Sequence, residues 1–330
     1  MEVEESKLRP RPSFSVVPKI EETDSKYKQL ILTLPKEEGW APFVLRKYYD
    51  FWFSEPHFPG LFVMQEVFKP RSDDVIVASF MKSGTTWLKA LTFSVMHRDK
   101  YTFSSHPLLK LNPHDCVPII EHHYATQDEQ YLQTLPNPRV LGTHLSYSML
   151  PESIKTSTCK IVYICREPKD VLVSLWHMYS RFDWLKKTPS FNQAFNLFCE
   201  GRVPYGPVWE HVVEYYTKSL INSPVKILIL KYEEMLKDPI DGVMRLANFI
   251  GCPFSQEEMK NGMVDEIVKL CSFNKLKDLD VNKNGVGNLT NSYFFRKAIA
   301  GDWQNYMTPE MANKLDEITK EKFRPSGFTY

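Results

Sequence analysis

The chain has 330 residues, with 43% apolar and 13% aromatic content, enough for one large α/β domain or two small ones. Its formal net charge is +1, so no global field draws it to nucleic acid or to an anionic membrane, and any anion site must be a local cluster. The six cysteines form no C-x-x-C pair and no metal spacing, and several sit in apolar runs, so they read as free thiols of a reducing compartment. The acidic start Met1-Glu2-Val3-Glu4-Glu5 is no signal peptide, and no apolar run reaches the length of a membrane span. A cytoplasmic location with no membrane partner is expected, and Asn288-Leu289-Thr290 is then a chance glycosylation match.

Residues 1–25 are charged, proline-bearing and aperiodic, and are expected to form a flexible tail ahead of a single domain over 26–330. A short helix is expected at 25–34, ended by Pro35. The next segment is aromatic: Trp40, Phe43, Tyr48, Tyr49, Phe51, Trp52, Phe53, Phe58 and Phe62. It reads as core and sheet edge, with some rings walling an apolar pocket. The run 75–80 is apolar and β-branched, as a parallel strand covered on both faces requires. After it, Met81-Lys82-Ser83-Gly84-Thr85-Thr86 reads as a tight loop opening a helix through about 97. Gly84 lets the backbone turn and approach a ligand, the first helical amides lack partners, and Lys82 adds charge, so a phosphate-like anion is the expected guest.

Residues 99–138 carry five prolines and no strong period, which suits pocket lining or a gate. His122 and His123 are expected to point apart on a strand, with no third metal ligand near. Strands follow at 139–143, 160–165 and 225–230, with helices at 168–184, 190–200, 207–221, 239–250, 255–270 and 308–322. Strands alternating with helices predict an α/β fold: a central parallel sheet flanked by helices around a P-loop-like nucleotide-binding core. Ligands of such sheets sit beyond the carboxyl ends of the strands. Four of those ends are polar here, at Lys82 to Thr86, Thr143-His144, Arg166 and Lys231-Tyr232, which predicts a crevice for a dianion or a larger nucleotide.

The loop is not that of a nucleoside triphosphatase, whose lysine follows the second glycine; here Lys82 precedes the only one. Lys82-Ser83-Gly84-Thr85-Thr86-Trp87 instead resembles the 5′-phosphosulfate loop of cytosolic sulfotransferases. Thr143-His144, Arg166 with Ser174, Tyr232-Glu233-Glu234, Ser272-Phe273 and Phe295-Arg296-Lys297-Ala298 up to Gly301-Asp302-Trp303 follow in that family's order. The likeness runs from about residue 40 to the C-terminus, and the segment from His106 to His114 resembles the plant, flavonol sulfotransferase-like branch.

That resemblance implies transfer of a sulfuryl group from 3′-phosphoadenosine 5′-phosphosulfate (PAPS) to a hydroxyl of a small acceptor, leaving PAP, with no metal required. It implies that Ser83, Gly84, Thr85 and Thr86 hold the 5′-phosphosulfate and that Lys82 neutralises charge growing on the bridging oxygen. His144 is the implied general base, suited to it by a reference pKa near neutrality. Arg166 and Ser174 are implied binders of the 3′-phosphate, joined by Arg296 and Lys297, with 282–292 as a lid. Trp87 and Tyr232 are implied partners of the adenosine, near Cys271 and Ser272.

The chain departs from the family at several places. Met81 stands for proline, Gly142 for a lysine of many animal members, Cys271 for threonine and Ala298 for glycine. Gln304, Pro309 and Asn313 depart from the animal dimerisation motif, so a monomer is expected. The implied acceptors are flat phenols such as flavonols, with steroids, hydroxyjasmonates and desulfoglucosinolates as alternatives, in a pocket of Trp176, His177, Tyr179, Phe182 and the 99–138 loop. Two other functions compete: a small-molecule kinase, which needs an acidic metal ligand where the 160–165 strand ends in Arg166, and a catalytically idle nucleotide binder.

Overall fold

The computed structural model describes residues 8–11, 25–40, 44–181, 188–284 and 291–330. Its strands, in chain order, are β1 (Lys36–Glu38), β2 (Val44–Tyr48), β3 (Phe51–Ser54), β4 (Val75–Ser79), β5 (Val140–Thr143), β6 (Lys160–Cys165) and β7 (Lys226–Lys231). The last four pair in parallel in the order β5-β4-β6-β7, with Val75 opposite both Val140 and Lys160, and Lys160 opposite Lys226. Helices flank this sheet, as the alternation of strands and helices predicts. The chain leaves β4 for β5 on one side and returns across it to β6 on the other. The crevice at the carboxyl end of β4 is therefore the switch point of the sheet.

Alternation along the strands divides the core in two. Ile76, Ala78, Ile161 and Tyr163 face one apolar cluster, and Val75, Val77, Val162 and Ile164 face the other. Each fully buried aliphatic side chain contributes about 1.5–3 kcal/mol. At the opposite end from the crevice, Asp74 and Arg139 form a fully buried ion pair, with Nε to Oδ1 at 2.9 Å. Arg139 also donates to the carbonyl of Leu132, so its charge is shared among fixed acceptors.

Several elements depart from the sequence reading. The aromatic segment, read as core and sheet edge, belongs to a separate sheet: β1, β2 and β3 pair antiparallel, with Leu45 opposite Ser54 and Tyr48 opposite Phe51. These strands are too short to show a period. The stretch 99–138 holds three short helices, Pro113–Cys116, Ile120–Ala125 and Gln130–Thr134. His122 and His123 therefore lie on a helix rather than a strand. The single helix expected at 255–270 is two, Gln256–Lys260 and Met263–Leu270, separated at Gly262, whose φ is +74°. The helix from Pro168 ends at Tyr179; Phe182 and Trp184 lie outside the described residues.

Within the expected N-terminal tail, Arg11 is described. Its backbone amide donates to Asp115 at 3.0 Å, its guanidinium pairs with the same carboxylate at 2.9 Å, and it also reaches Asn291. Residues 1–7 and 12–24 of that tail, and 285–290 at the centre of the expected lid, lie outside the described residues. No described helix is long and apolar enough to cross a membrane.

Candidate active site

A cavity of about 580 Å³ opens at the carboxyl ends of the parallel strands. The loop after β4 forms its floor. Gly84 caps the Thr85–Met96 helix with φ at +109°. A Cβ there would stand 2.7 Å from the Tyr232 ring and 3.1 Å from Ile164, so glycine is required both by conformation and by space. The cap makes no side-chain hydrogen bond to the helix, so the first amides stay open toward the cavity. Thr85 and Thr86 both line it. The Thr85 hydroxyl is bonded to that of Ser79 on β4 at 2.6 Å, whereas Thr86 bonds Nε2 of His114 at 2.9 Å. Ser83 is buried and outside the cavity wall, with its amide donating to Phe80.

Lys82 takes up a left-handed backbone, φ +67°, and reaches the carbonyl of Tyr293 at 3.5 Å. Burial, then the like charges of Arg296, Arg166 and Arg181, lower its pKa to about 7. A cation crowded by cations marks a place where an anion lowers the energy of every neighbour.

His144 follows β5. Its Nδ1 lies 2.9 Å from the Ser79 carbonyl, an acceptor only, so Nδ1 carries the proton and Nε2 carries the lone pair. Its amide donates to Glu121 at 2.6 Å, and its carbonyl accepts from Nε2–H of His211 at 2.9 Å. Three bonds thus fix the residue. Burial lowers its pKa to about 3, against the raising effect of the Ser79 carbonyl, so the ring is neutral at physiological pH. Glu121 is itself pushed up to about 7 by burial.

At the far end Arg166 stacks over Tyr232, 4.5 Å from the ring centroid, and pairs with Asp170 at 3.2 Å. Its Nε is buried and has no hydrogen-bond partner among the described residues, although an ionised donor left unpaired is costly. Ser174, two turns into the same helix, lines the cavity beside it. Asp170 also accepts the amides of Gly301 at 2.7 Å and Trp303 at 3.0 Å, which pins the late loop against the start of that helix. Arg296 and Lys297 line the cavity and both pair with the buried Asp302. Burial opposes ionisation of Asp302, but Lys297, Arg296 and Asn305 outweigh it and hold the carboxyl at about 2. Ala298 adopts φ +55°, the conformation for which glycine is the easier residue.

Trp87 meets Tyr232 edge to face at 5.8 Å. Cys271 is buried, its thiol pushed up to about 12 by burial, with Ser94 at 3.4 Å. Ser272 caps the Phe273–Asp278 helix, accepting from the Lys275 amide. All of the residues selected from the sequence for the nucleotide and the catalytic step, except Ser83, line one cavity.

The remaining wall is legible in part: Tyr179 and, from the 99–138 loop, His114, Ile119 and His122 line it as expected. None of the described rings of the aromatic segment reaches the cavity, and the turn after β3 supplies Pro56 and His57 instead. Tyr205 stands edge-on to His144 at 5.7 Å, and Met178, Tyr179 and Ile119 complete an apolar wall. Trp176 and His177 lie outside it; Phe182 is not described.

Comparison with known proteins agrees with this arrangement. The family model described as the sulfotransferase domain matches residues 72–327. The chain is 42% identical to cytosolic sulfotransferase 5 of Arabidopsis thaliana, covering 94% of this chain and 98% of the relative. It is 43% identical to flavonol 3-sulfotransferase of Flaveria bidentis, covering 86% and 93%. Among solved structures, mouse sulfotransferase SULT7A1 complexed with PAP superposes with a TM-score of 0.68 at 29% identity, covering 86% of this chain and 95% of that one. With a family match across most of its length and relatives this similar along nearly all of it, the chain belongs to the sulfotransferase family.

Proposed function

We propose that the protein transfers a sulfuryl group from PAPS to the hydroxyl of a flat, apolar phenolic acceptor of the flavonol kind, with His144 as general base. The observation that carries this reading is the fixed tautomer of His144: its proton is tied to Ser79, and its bare Nε2 shares a cavity with the cationic group of Lys82.

The donor supplies a sulfuryl group whose S–O bond to phosphate breaks as the acceptor's hydroxyl oxygen attacks sulfur. His144 takes the hydroxyl proton on Nε2. Its low pKa keeps the base free, and imidazolium formation is helped by the Ser79 carbonyl and by the phosphate charge that develops nearby. Lys82 stabilises the departing bridging oxygen, where negative charge grows most. The amides of Gly84, Thr85 and Thr86 with the Thr86 hydroxyl hold the 5′-phosphosulfate, and Ser83 sets the turn that presents them. The unpartnered Nε of Arg166, with Ser174, Arg296 and Lys297, fits a 3′-phosphate. Trp87 and Tyr232 bracket the adenine, next to Cys271, Ser272 and Ala298.

Two observations support a phenolic acceptor. Tyr205 stands edge-on to His144 and Tyr179, Met178 and Met81 line the same cavity, which suits a flat ring, and a relative at 43% identity is a flavonol 3-sulfotransferase. We place the enzyme in the cytoplasm as a monomer. A transfer assay with labelled PAPS and a panel of flavonols, steroids, hydroxyjasmonates and desulfoglucosinolates, run in chelator, tests the reading. Label should move to flavonols fastest. Transfer to no acceptor while PAP still binds would favour an idle binder, and phosphoryl transfer from ATP under magnesium would favour a kinase.

A further inference from the structure

Behind the phosphosulfate loop lies a buried amine that the reaction just described does not use. Lys89 sits one helical turn after the loop with none of its surface exposed. It occupies space left by Gly142: a Cβ at 142 would stand 2.7 Å from its Cε and 2.8 Å from its Nζ. Its Nζ donates to the Val117 carbonyl at 2.8 Å and lies 3.2 Å from Nδ1 of His114.

Burial lowers the Lys89 pKa to about 7, so below neutrality it is an ammonium group, which has no lone pair, and there the contact with His114 has one sense only. Lys89 donates and Nδ1 accepts. Burial and the neighbouring cations Lys89 and Arg11 hold His114 well below its ordinary pKa, so it is neutral and carries its single proton on Nε2. That proton points at the Thr86 hydroxyl oxygen, 2.9 Å away. The oxygen is thereby occupied as an acceptor, and the threonine's own proton is directed away from the imidazole, on the side where Thr86 lines the cavity. His114 is held for this task from several sides. It stacks on Phe294 at 4.2 Å between centroids, and its amide donates to Asn112 at 2.9 Å.

We propose that Lys89 and His114 are positioning residues which, through a one-way chain of hydrogen bonds, turn the Thr86 hydroxyl into a fixed donor toward the 5′-phosphate end of the nucleotide. The inference rests on the PAPS reading above. It also gives Gly142 a purpose: the residue is small because the charge near the loop comes from the helix instead of from β5.

Two measurements test it. The first is the affinity for PAP, which retains the 5′-phosphate, by calorimetry. Thr86→Val and His114→Phe should each weaken binding about tenfold, the loss of one hydrogen bond to a charged group. The double variant should be no weaker than the weaker single, and His114→Gln, which keeps an N–H for Thr86, should restore most of the loss. Losses that multiply in the double variant, or a His114→Phe protein that binds as the wild type does, overturn the chain. The second measurement is independent of any variant: at pH 6, where Lys89 is charged, the imidazole nitrogen resonances of the wild-type protein should show His114 protonated at Nε2, and protonation at Nδ1 refutes the proposal. A wild type that binds no PAP would instead overturn the donor reading itself.

Discussion

Raising the pH from 6 to 8 should remove most of the charge from Lys82 in the free enzyme, and this is the most direct test of its assigned role. Burial and the repulsion of Arg296, Arg166 and Arg181 place its pKa at about 7 instead of the ordinary 10.5. The protonated fraction then falls from about nine-tenths at pH 6 to about one-tenth at pH 8, so kcat/KM for PAPS should fall by roughly ninefold across that window. His144 adds no limb there, because its pKa of about 3 leaves it neutral throughout. A phenolic hydroxyl ionises only near about pH 10 and stays constant as well. Bound PAPS brings negative charge to the lysine and raises its pKa, so kcat at saturating donor should hold up to a more alkaline pH than kcat/KM. Initial rates over a PAPS series at each pH separate the two profiles. Substituting Arg296→Gln removes the largest like-charge neighbour and should move the kcat/KM limb upward. A kcat/KM that rises between pH 6 and 8 would mean that Glu121 or an ordinary histidine base is titrating in place of Lys82, and the argument for a rate set by the charge of Lys82 would be lost.

Three further outcomes are expected. His144→Ala should lower kcat by about 10²- to 10⁴-fold, the usual worth of a positioned base, while PAP affinity measured by calorimetry stays within about threefold of wild type. Asp74→Ala leaves the Arg139 guanidinium buried without its carboxylate and should destabilise the fold by about 3–5 kcal/mol, seen as a lower urea midpoint at unchanged slope; a loss under about 1 kcal/mol would show that the guanidinium finds other partners. Ala298→Gly relieves a left-handed alanine and should raise stability by about 0.5–1 kcal/mol, since the strain of about 1–2 kcal/mol is partly offset by the entropy of glycine.

Much of this molecule is written in short stretches of its sequence, for physical reasons. β4 and β6 are covered on both faces, so each shows as an unbroken apolar run, and their polar successors at Lys82 and Arg166 fall at the ligand-binding edge by topology alone. Gly84 is legible because no other residue takes its conformation in that space. What stays hidden is set by distant contacts. Tyr205 reaches His144 from a turn in which it takes a left-handed backbone, φ +65°, and no local pattern announces that. His114 finds Thr86 across 28 residues through a segment of prolines and single-turn helices. The threonines of the loop look alike in sequence, yet Ser79 engages one hydroxyl and His114 the other. The aromatic segment misleads because burial in a core and lining of a pocket draw on the same residues.

Asp302 has a consequence for how the nucleotide leaves. Arg296 and Lys297 both rest on this one carboxylate. Each of the two cations holds a counter-ion supplied by the chain, although Lys297 is exposed. If the two hold the 3′-phosphate as proposed, arrival of the nucleotide would exchange part of that partnership for another, and departure would restore it. The net gain is smaller than two new charge pairs would provide, and so is the barrier to release. Dependence on ionic strength should be correspondingly shallow, because fewer salt ions are displaced than the number of basic side chains suggests. On that reading the carboxylate would act as a resident rival to the product and shorten the stay of a spent nucleotide.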